Sequence, residues 1–379
     1  DRLLVRPVAE KKTYIRGEIV KIIKPGNGRI APICPHFSKC GGCHWQQLEY
    51  SRQVEAKRRI LEEIFHHRFP QTRELPIVMK ACAQPFAYRS RARVQLRGKG
   101  SGSSIGFFRC GSSRVEDIES CPLFKPALNE ALNSLRQYRR KADDDAGAQE
   151  MDMACSEEED TWATEPTKSE INEGVTTLIG TGRREGVILQ RKIGEFLYFV
   201  TASVFFQAND FMIQELLQLV QEAAQISGSN SALDLFAGVG LFSLPLAHKF
   251  QEVIAVEGSP AASRLCSYNA KAAGLAHIQA VCADVYEWMD SLQSAISRTK
   301  HKFDLIVLDP PRSGAGSDAM KKIRDWDPDS ILYVSCDPQT LARDLSVISP
   351  RDYTIDLVEG LDMFPQTYHF ETVVRLIRK

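Results

Sequence analysis

From residue 201 onward, apolar runs alternate with amphipathic stretches. The runs are ALDLF (232–236), EVIAVEG (252–258), IQAVCAD (278–284), FDLIVLD (303–309), ILYVSC (331–336), YTIDLVEG (353–360) and TVVRLI (372–377). Segments long enough for crossover helices separate the first five. Continuous apolar strands alternating with helices predict a doubly wound parallel sheet, covered on both faces. No helical segment separates the last two runs, so these are expected to pair antiparallel. The expected α/β fold is therefore a Rossmann-like domain over 201–379, a seven-stranded sheet with its last strand antiparallel.

The first 200 residues read differently. Residues 13–23 and 87–96 have strand patterning, with a Gly/Asn/Pro turn at 25–28. Residues 47–69 read as a helix with Leu48, Val54, Ile60, Leu61, Ile64 and Phe65 on its apolar stripe. Short strands and glycine-rich turns between 87 and 200 predict a small β-rich domain. The expected division is 1–33, 34–200 and 201–379.

Composition changes this picture in two places. The chain has 379 residues, and no stretch in it approaches the roughly 20 apolar residues of a membrane helix. The charged opening residues have no signal-peptide core, so a soluble cytoplasmic protein is expected. The net charge of zero hides an asymmetry. Residues 141–173 hold twelve acids against Lys141 and Lys168, which leaves 46 basic and 36 acidic residues elsewhere. The acidic segment is expected to be a solvated insertion, and the basic remainder is the part suited to nucleic acid.

Chemistry concentrates at the strand ends. Phe236-Ala237-Gly238-Val239-Gly240 follows the first run, where glycines let a backbone approach a ligand. Glu257 ends the second run, suited to a ribose diol, and Asp284 ends the third, suited to an adenine amino group. The loop lacks the third glycine of the dinucleotide fingerprint, which favours S-adenosylmethionine over NAD. Asp309-Pro310-Pro311-Arg312 ends the fourth run and faces the same edge. Arg312 stands where amino-methyltransferases carry a base-stacking aromatic residue, which argues against that chemistry. Cys336 ends the fifth run and heads a helix beginning near Pro338, a place that favours a thiolate. Cys266 and Cys282 read as core residues. Glu371 opens the seventh run; beside the fifth strand and antiparallel to it, it would meet Cys336 as a base meets a nucleophile. Gln207 suits either uracil, the methionine moiety or a helix cap. Arg89, Arg91 and Arg93 alternate on one strand face and suit phosphate contacts or plain solvation.

A separate group is Cys34-x5-Cys40-x2-Cys43, with Cys121 as a candidate fourth ligand. Four thiolates suit zinc or an iron–sulfur cluster. A single close pair leans towards a cluster and leaves zinc open.

Seven segments occur in a familiar order: CPHFSKCGGC (34–43), SCPLF (120–124), FFQAN (205–209), LDLFAGVGLFSLPLA (233–247), LDPPRSG (308–314), YVSCDPQTLARDL (333–345) and DMFPQTYHFETV (362–373). Together they resemble the RNA uracil-5-methyltransferase family, in particular its iron–sulfur branch acting on 23S rRNA. The resemblance implies a [4Fe–4S] cluster on Cys34, Cys40, Cys43 and Cys121, with Cys336 as nucleophile and Glu371 as base. It implies cofactor or base contacts from Gln207, Phe236, Gly238, Gly240, Leu241, Glu257, Asp284 and Asp309. Residues 1–33 would be a partial TRAM-like RNA-binding segment. The sequence departs from the pattern at Leu241, where relatives often carry Asn, at Asp337, which replaces the usual Asn and should oppose a thiolate, and in the acidic insertion. The expected partner is RNA, rRNA before tRNA, with no membrane and no obligate protein partner. A tRNA uracil-54 methyltransferase and a catalytically idle cluster-containing RNA-binding protein are the alternatives; the Cys336–Glu371 pair speaks against the second.

Overall fold

The computed structural model describes residues 1–98, 100–141, 149–156, 162–166, 188–225, 230–299, 303–348 and 350–379. Its first half contains β1 (Arg2–Glu10), β2 (Ile15–Lys24), α1 (Tyr50–Arg68), β3 (Val78–Lys80), β4 (Arg91–Arg97), β5 (Ser104–Phe108), β6 (Val115–Asp117), α2 (Pro126–Lys141), β7 (Gln149–Cys155) and β8 (Trp162–Pro166). It continues with β9 (Leu189–Ile193), β10 (Phe196–Val200), α3 (Asp210–Ala223), β11 (Ser231–Leu235), α4 (Ser243–Ala247), β12 (Glu252–Glu257), α5 (Pro260–Ala272), β13 (Ile278–Cys282) and α6 (Val285–Thr299). The last elements are β14 (Leu305–Leu308), α7 (Ser317–Asp325), β15 (Ser330–Ser335), α8 (Pro338–Leu345), β16 (Tyr353–Leu361) and β17 (Glu371–Arg378).

The larger sheet has eight strands in the order β13-β12-β11-β14-β15-β17-β16-β3. Strands β11 to β15 are parallel, and β17 runs antiparallel between β15 and β16. The mixed α/β sheet with its antiparallel last strand is thus as expected, with one strand more. That eighth strand, β3, pairs in parallel with β16 through three residues, too few to show as an apolar run.

Side chains of a strand point alternately to its two faces, and both faces are covered here. Leu233, Leu235, Ile306, Leu308, Ile331 and Tyr333 pack with α1, α6, α7 and α8. Ala232, Leu305, Val307, Leu332 and Val334 pack with α3, α4 and the β9–β10 hairpin. The core therefore reaches across the expected boundary at residue 200: β3 joins the large sheet, while α1 and the β9–β10 hairpin, a two-stranded sheet of its own, pack against its faces.

The smaller sheet is antiparallel, in the order β6-β5-β4-β7-β8. Its inner face, with Val94, Leu96, Ile105, Met151 and Met153, packs on Leu128, Leu132 and Leu135 of α2. This corrects the reading of 141–173 as a solvated insertion. Its described parts are the strands β7 and β8, and Met151, Met153 and Cys155 are buried. Asp152, between the two methionines, pairs with Arg93 at 2.9 Å, and Glu150 accepts from Gln95 at 2.8 Å. A period-two alternation thus hides core positions among acids. The rest of that segment, 142–148, 157–161 and 167–173, lies outside the described residues.

β1 and β2 form an antiparallel hairpin with Val5, Ile15 and Ile19 exposed. The segment 25–49 docks at the end of β5 through Gly41 N to Phe108 O and Cys110 N to Lys39 O, both 2.9 Å. Among the described residues no helix is long and apolar enough to cross a membrane.

Candidate active site

A cavity of about 760 Å³ opens at the C-terminal ends of β11, β12, β14 and β15. Gln207, Phe236, Gly238, Leu241, Glu257, Asp309, Cys336 and Glu371 all line it. The loop after β11 turns sharply, with Phe236 at φ +63° and Gly238 at φ +57°. Both oxygens of Glu257 are held by backbone, accepting from Gly238 N at 2.9 Å and Ser259 N at 2.7 Å. That fixes the acid at the cavity wall.

Two expected cofactor residues fall outside the lining. Gly240 has φ +89°, and a Cβ there would meet Cys266 Sγ at 3.0 Å and Leu244 Cδ1 at 3.1 Å, so its service is to packing beneath the loop. Asp284 Oδ1 accepts from Tyr286 N and Glu287 N, both 3.0 Å, and so caps α6. Of the two cysteines read as core, Cys266 is buried and Cys282 is exposed, because β13 is an edge strand.

Gln207 is buried in the cavity wall and caps no helix; Asn209 caps α3, accepting from Phe211 N at 3.1 Å and Met212 N at 3.2 Å. Arg91 is engaged within the chain, while Arg93, paired with Asp152, stays half exposed. Arg91 donates to Thr201 O at 3.0 Å and to Val204 O, bracing the loop that leads to Gln207, and Arg93 holds Asp152. Their partners lie within the chain, which strand alternation alone does not show. Arg89 lines the cavity.

The Cys336 side of the cavity is set by one ladder. Ser335 of β15 pairs with Thr372 of β17, which brings Cys336 and Glu371 side by side. Burial first, then the charge of Glu371, pushes the Cys336 thiol up to about 11, while a hydrogen bond from Arg312 pulls it down. Burial and the charge of Asp309 push the Glu371 carboxyl well up, again opposed by Arg312. Asp309 itself is raised to about 7 by burial and by Asp234.

Among the described residues, Arg312 is the cation that opposes the raised Cys336 and Glu371 alike, a placement sequence reasoning missed. Its position immediately after the strand-end D-P-P was the available signal. Its Nη2 lies 2.6 Å from His369 Nδ1. Burial and the guanidinium lower His369 to about 4, so it is a neutral acceptor at neutral pH. The Arg312 loop is tied to α8: Thr340 Oγ1 donates to Arg312 O at 3.2 Å, and Arg343 Nη2 to Ser313 O at 2.7 Å. Asp337 spends its carboxylate on the start of α8, accepting from Gln339 N at 3.0 Å and Thr340 N at 3.1 Å.

Residues 186–379 match the model of the tRNA (uracil-5-)-methyltransferase family. The chain belongs to that family. It is 31% identical to the 23S rRNA (uracil(1939)-C(5))-methyltransferase RlmD of Dechloromonas aromatica, over 96% of this chain and 89% of that protein. It is 29% identical to an uncharacterised RNA methyltransferase of Thermosynechococcus vestitus, over 99% and 90%. The fold matches that of the Pyrococcus abyssi tRNA (uracil-54, C5)-methyltransferase, solved with S-adenosyl-L-homocysteine, at a TM-score of 0.72 and 23% identity over 99% of this chain and 93% of that one. The chain is accordingly an RNA uracil-5-methyltransferase drawing its methyl group from S-adenosylmethionine, as its motifs imply.

The methyltransferase has a second, smaller cavity, lined by Cys34, Cys40, Cys43 and Cys121 together with Gln46 and Arg89. Burial raises Cys43 to about 12 and Cys121 to about 11, and the charges of the fellow cysteines add to both. Gln46 Nε2 donates to Cys43 Sγ at 3.3 Å, and Gly42 N to Cys40 Sγ at 3.4 Å. Among the described residues no three donors stand close enough to hold a single metal ion.

Proposed function

We propose that this methyltransferase modifies a uridine of 23S rRNA through a covalent adduct on Cys336. The observation that carries this reading is the pairing of Cys336 with Glu371 across the β15–β17 ladder, under the Arg312 cation. Uracil C5 is a weak nucleophile. Attack of the Cys336 thiolate on C6 turns C5 into an enolate carbon, able to take the methyl group and release S-adenosylhomocysteine. Glu371 then removes the C5 proton, and the electron pair expels the thiolate. Gln207 and Asp309 hold the uracil edge, and Phe236, Gly238, Leu241 and Glu257 hold the methyl donor. The target base must leave its stack to reach a pocket of this depth.

The chemistry of the four cysteines favours a [4Fe–4S] cluster. Four thiols converge on one cavity, and four cysteine thiolates are the ligand set of such a cluster. The cluster, when bound, supplies a cross-link between segment 34–43 and Cys121. The basic β1–β2 hairpin reads as a TRAM-like RNA contact, and a cytoplasmic site of action follows from the substrate.

The test is a trap. The protein is incubated with S-adenosylmethionine and 5-fluorouridine-substituted fragments of 23S rRNA or of tRNA. A denaturant-stable adduct with the rRNA fragment is expected. An adduct with tRNA alone would give the substrate as uracil-54 of tRNA, and methylation without any adduct would sink the covalent route.

A further inference from the structure

The loop between β16 and β17, residues 362–370, carries His369 and leads into Glu371, yet it is held from outside the sheet. Lys57, fully buried on α1, donates to Asp362 Oδ1 at 2.6 Å and to Phe364 O at 3.1 Å. Asn209 Nδ2 donates to Met363 O at 3.0 Å, and the Tyr88 hydroxyl to Pro365 O at 3.1 Å.

Gln366 is the knot. Its φ of +69° is left-handed, which a non-glycine residue keeps only where its surroundings over-determine it. Its carbonyl accepts from His44 N at 2.9 Å and Trp45 N at 3.0 Å, the two residues directly after Cys43. Its backbone N–H donates to Gln53 Oε1 at 3.0 Å, and Gln53 Nε2 donates back to Gln366 Oε1 at 2.9 Å. The same Nε2 reaches Trp45 O at 3.0 Å and Leu48 O at 2.8 Å. Gln53 is wholly buried and Gln366 nearly so. On the far side, Gln46 joins Cys43 Sγ to Cys34 N. Ring contacts run in parallel, from His44 to Tyr368 at 4.5 Å and from Tyr368 to His369 at 4.1 Å.

None of these bonds is made by Cys336 or Glu371 themselves. We propose that the four-cysteine loop is a clamp on the Glu371 loop, acting through Gln53 and Gln366. Filling the cysteine cavity fixes residues 43–46, and these hold 362–370. Emptying it lets Glu371 leave its place beside Cys336, while the methyl-donor half of the cavity, built at the ends of β11, β12 and β14, stays formed. Gln53 is then a positioning residue. The inference rests on the cluster reading above, and its test separates the two.

Iron is measured first. Hydrogen–deuterium exchange over 362–371 is then compared in protein as purified, in the same protein after chelation under oxidising conditions, and in Gln53→Leu. Iron removal should speed exchange in both 34–46 and 362–371, lower kcat roughly 100-fold, as small misplacements of catalytic groups do, and leave S-adenosylhomocysteine affinity within about twofold. Gln53→Leu should show the same exchange at 362–371 and the same fall in kcat with its iron retained. The exposed-face variant Arg59→Ala should show neither. Faster exchange confined to 34–46 after iron removal would overturn the clamp, as would a normal kcat in Gln53→Leu. Should the purified protein hold no iron, the cluster reading falls, and Gln53→Leu alone decides whether the loop is clamped. Should Gln53→Leu fail to fold, the exchange pattern of the wild type decides it.

Discussion

Cys336 and Cys43 are both pushed above the ordinary thiol range by burial, to about 11 and about 12, and what stands against that burial differs in kind. Beside Cys336 is a guanidinium, Arg312, on the cavity wall. Beside Cys43 is a neutral amide, Gln46, and the further charges there are those of other cysteines, which raise it again. The cation offsets part of what burial and the Glu371 charge cost the Cys336 thiolate. Among the four cysteines the thiolate charges raise one another, and the Arg89 guanidinium opposes them at Cys40 and Cys121. The fold thus sets Cys336 between a guanidinium and a carboxyl group, and Cys43 among other thiols.

The sharpest way to break that contrast is to remove one sulfur from each place. Cys336→Ala should lose methylation and the fluorouridine adduct completely, keep its iron, and bind S-adenosylhomocysteine as before. Cys43→Ser should lose its iron, seen by metal analysis. If Cys336→Ala released iron, the two places would not be independent.

Glu371→Gln should slow turnover by about 100- to 10,000-fold, the usual range for a lost general base. Addition and methyl transfer remain open to it, so a methylated RNA adduct should accumulate with natural substrate and survive denaturing electrophoresis. If no such adduct formed while RNA and cofactor still bound, Glu371 would act before addition, as a positioner of uracil.

Arg312→Gln tests the cation directly. Attack needs the thiolate and proton removal needs the carboxylate, so activity should rise with pH. Arg312 lowers both groups, and its loss should move the rising limb of kcat/KM to higher pH. Each unit of displacement lowers the rate at neutral pH about tenfold. An unmoved limb in the pH–rate profile would remove Arg312 from thiolate activation.

The mildest prediction concerns Met153, fully buried on β7 in the core against which Cys121 packs. Met153→Ala should destabilise the protein by about 2–5 kcal/mol, seen by denaturant titration, and hasten iron loss. The pH profile should not move, because Cys336 has no part in that core. Excision of 141–173 should unfold the small sheet, since β7 lies between β4 and β8.

The large sheet was legible because its strands are covered on both faces and so read as unbroken apolar runs. The meeting of Cys336 and Glu371 was legible for a related reason: without a helix between β16 and β17, the last strand had to turn back and bring its first residue to the end of β15. β7 was not legible, since Glu150 and Asp152 interrupt its buried methionines and composition averages the two faces together. Nor was Gln53 with Gln366. Those two are separated by most of the chain, and a buried amide pair leaves no periodicity. Arg312 was read for what it is not, an aromatic residue, and its neighbours became visible only in three dimensions.

The rung between Ser335 and Thr372 also works as a gauge. Neighbouring strands stand about 5 Å apart, so the spacing of Cys336 and Glu371 is measured by backbone and owes little to side-chain choice. Such a gauge tolerates many substitutions along β15 and β17 and very few changes of length. One residue gained or lost in either strand before that rung would turn every later side chain to the opposite face. In the history of such a protein, this stretch should hold its count.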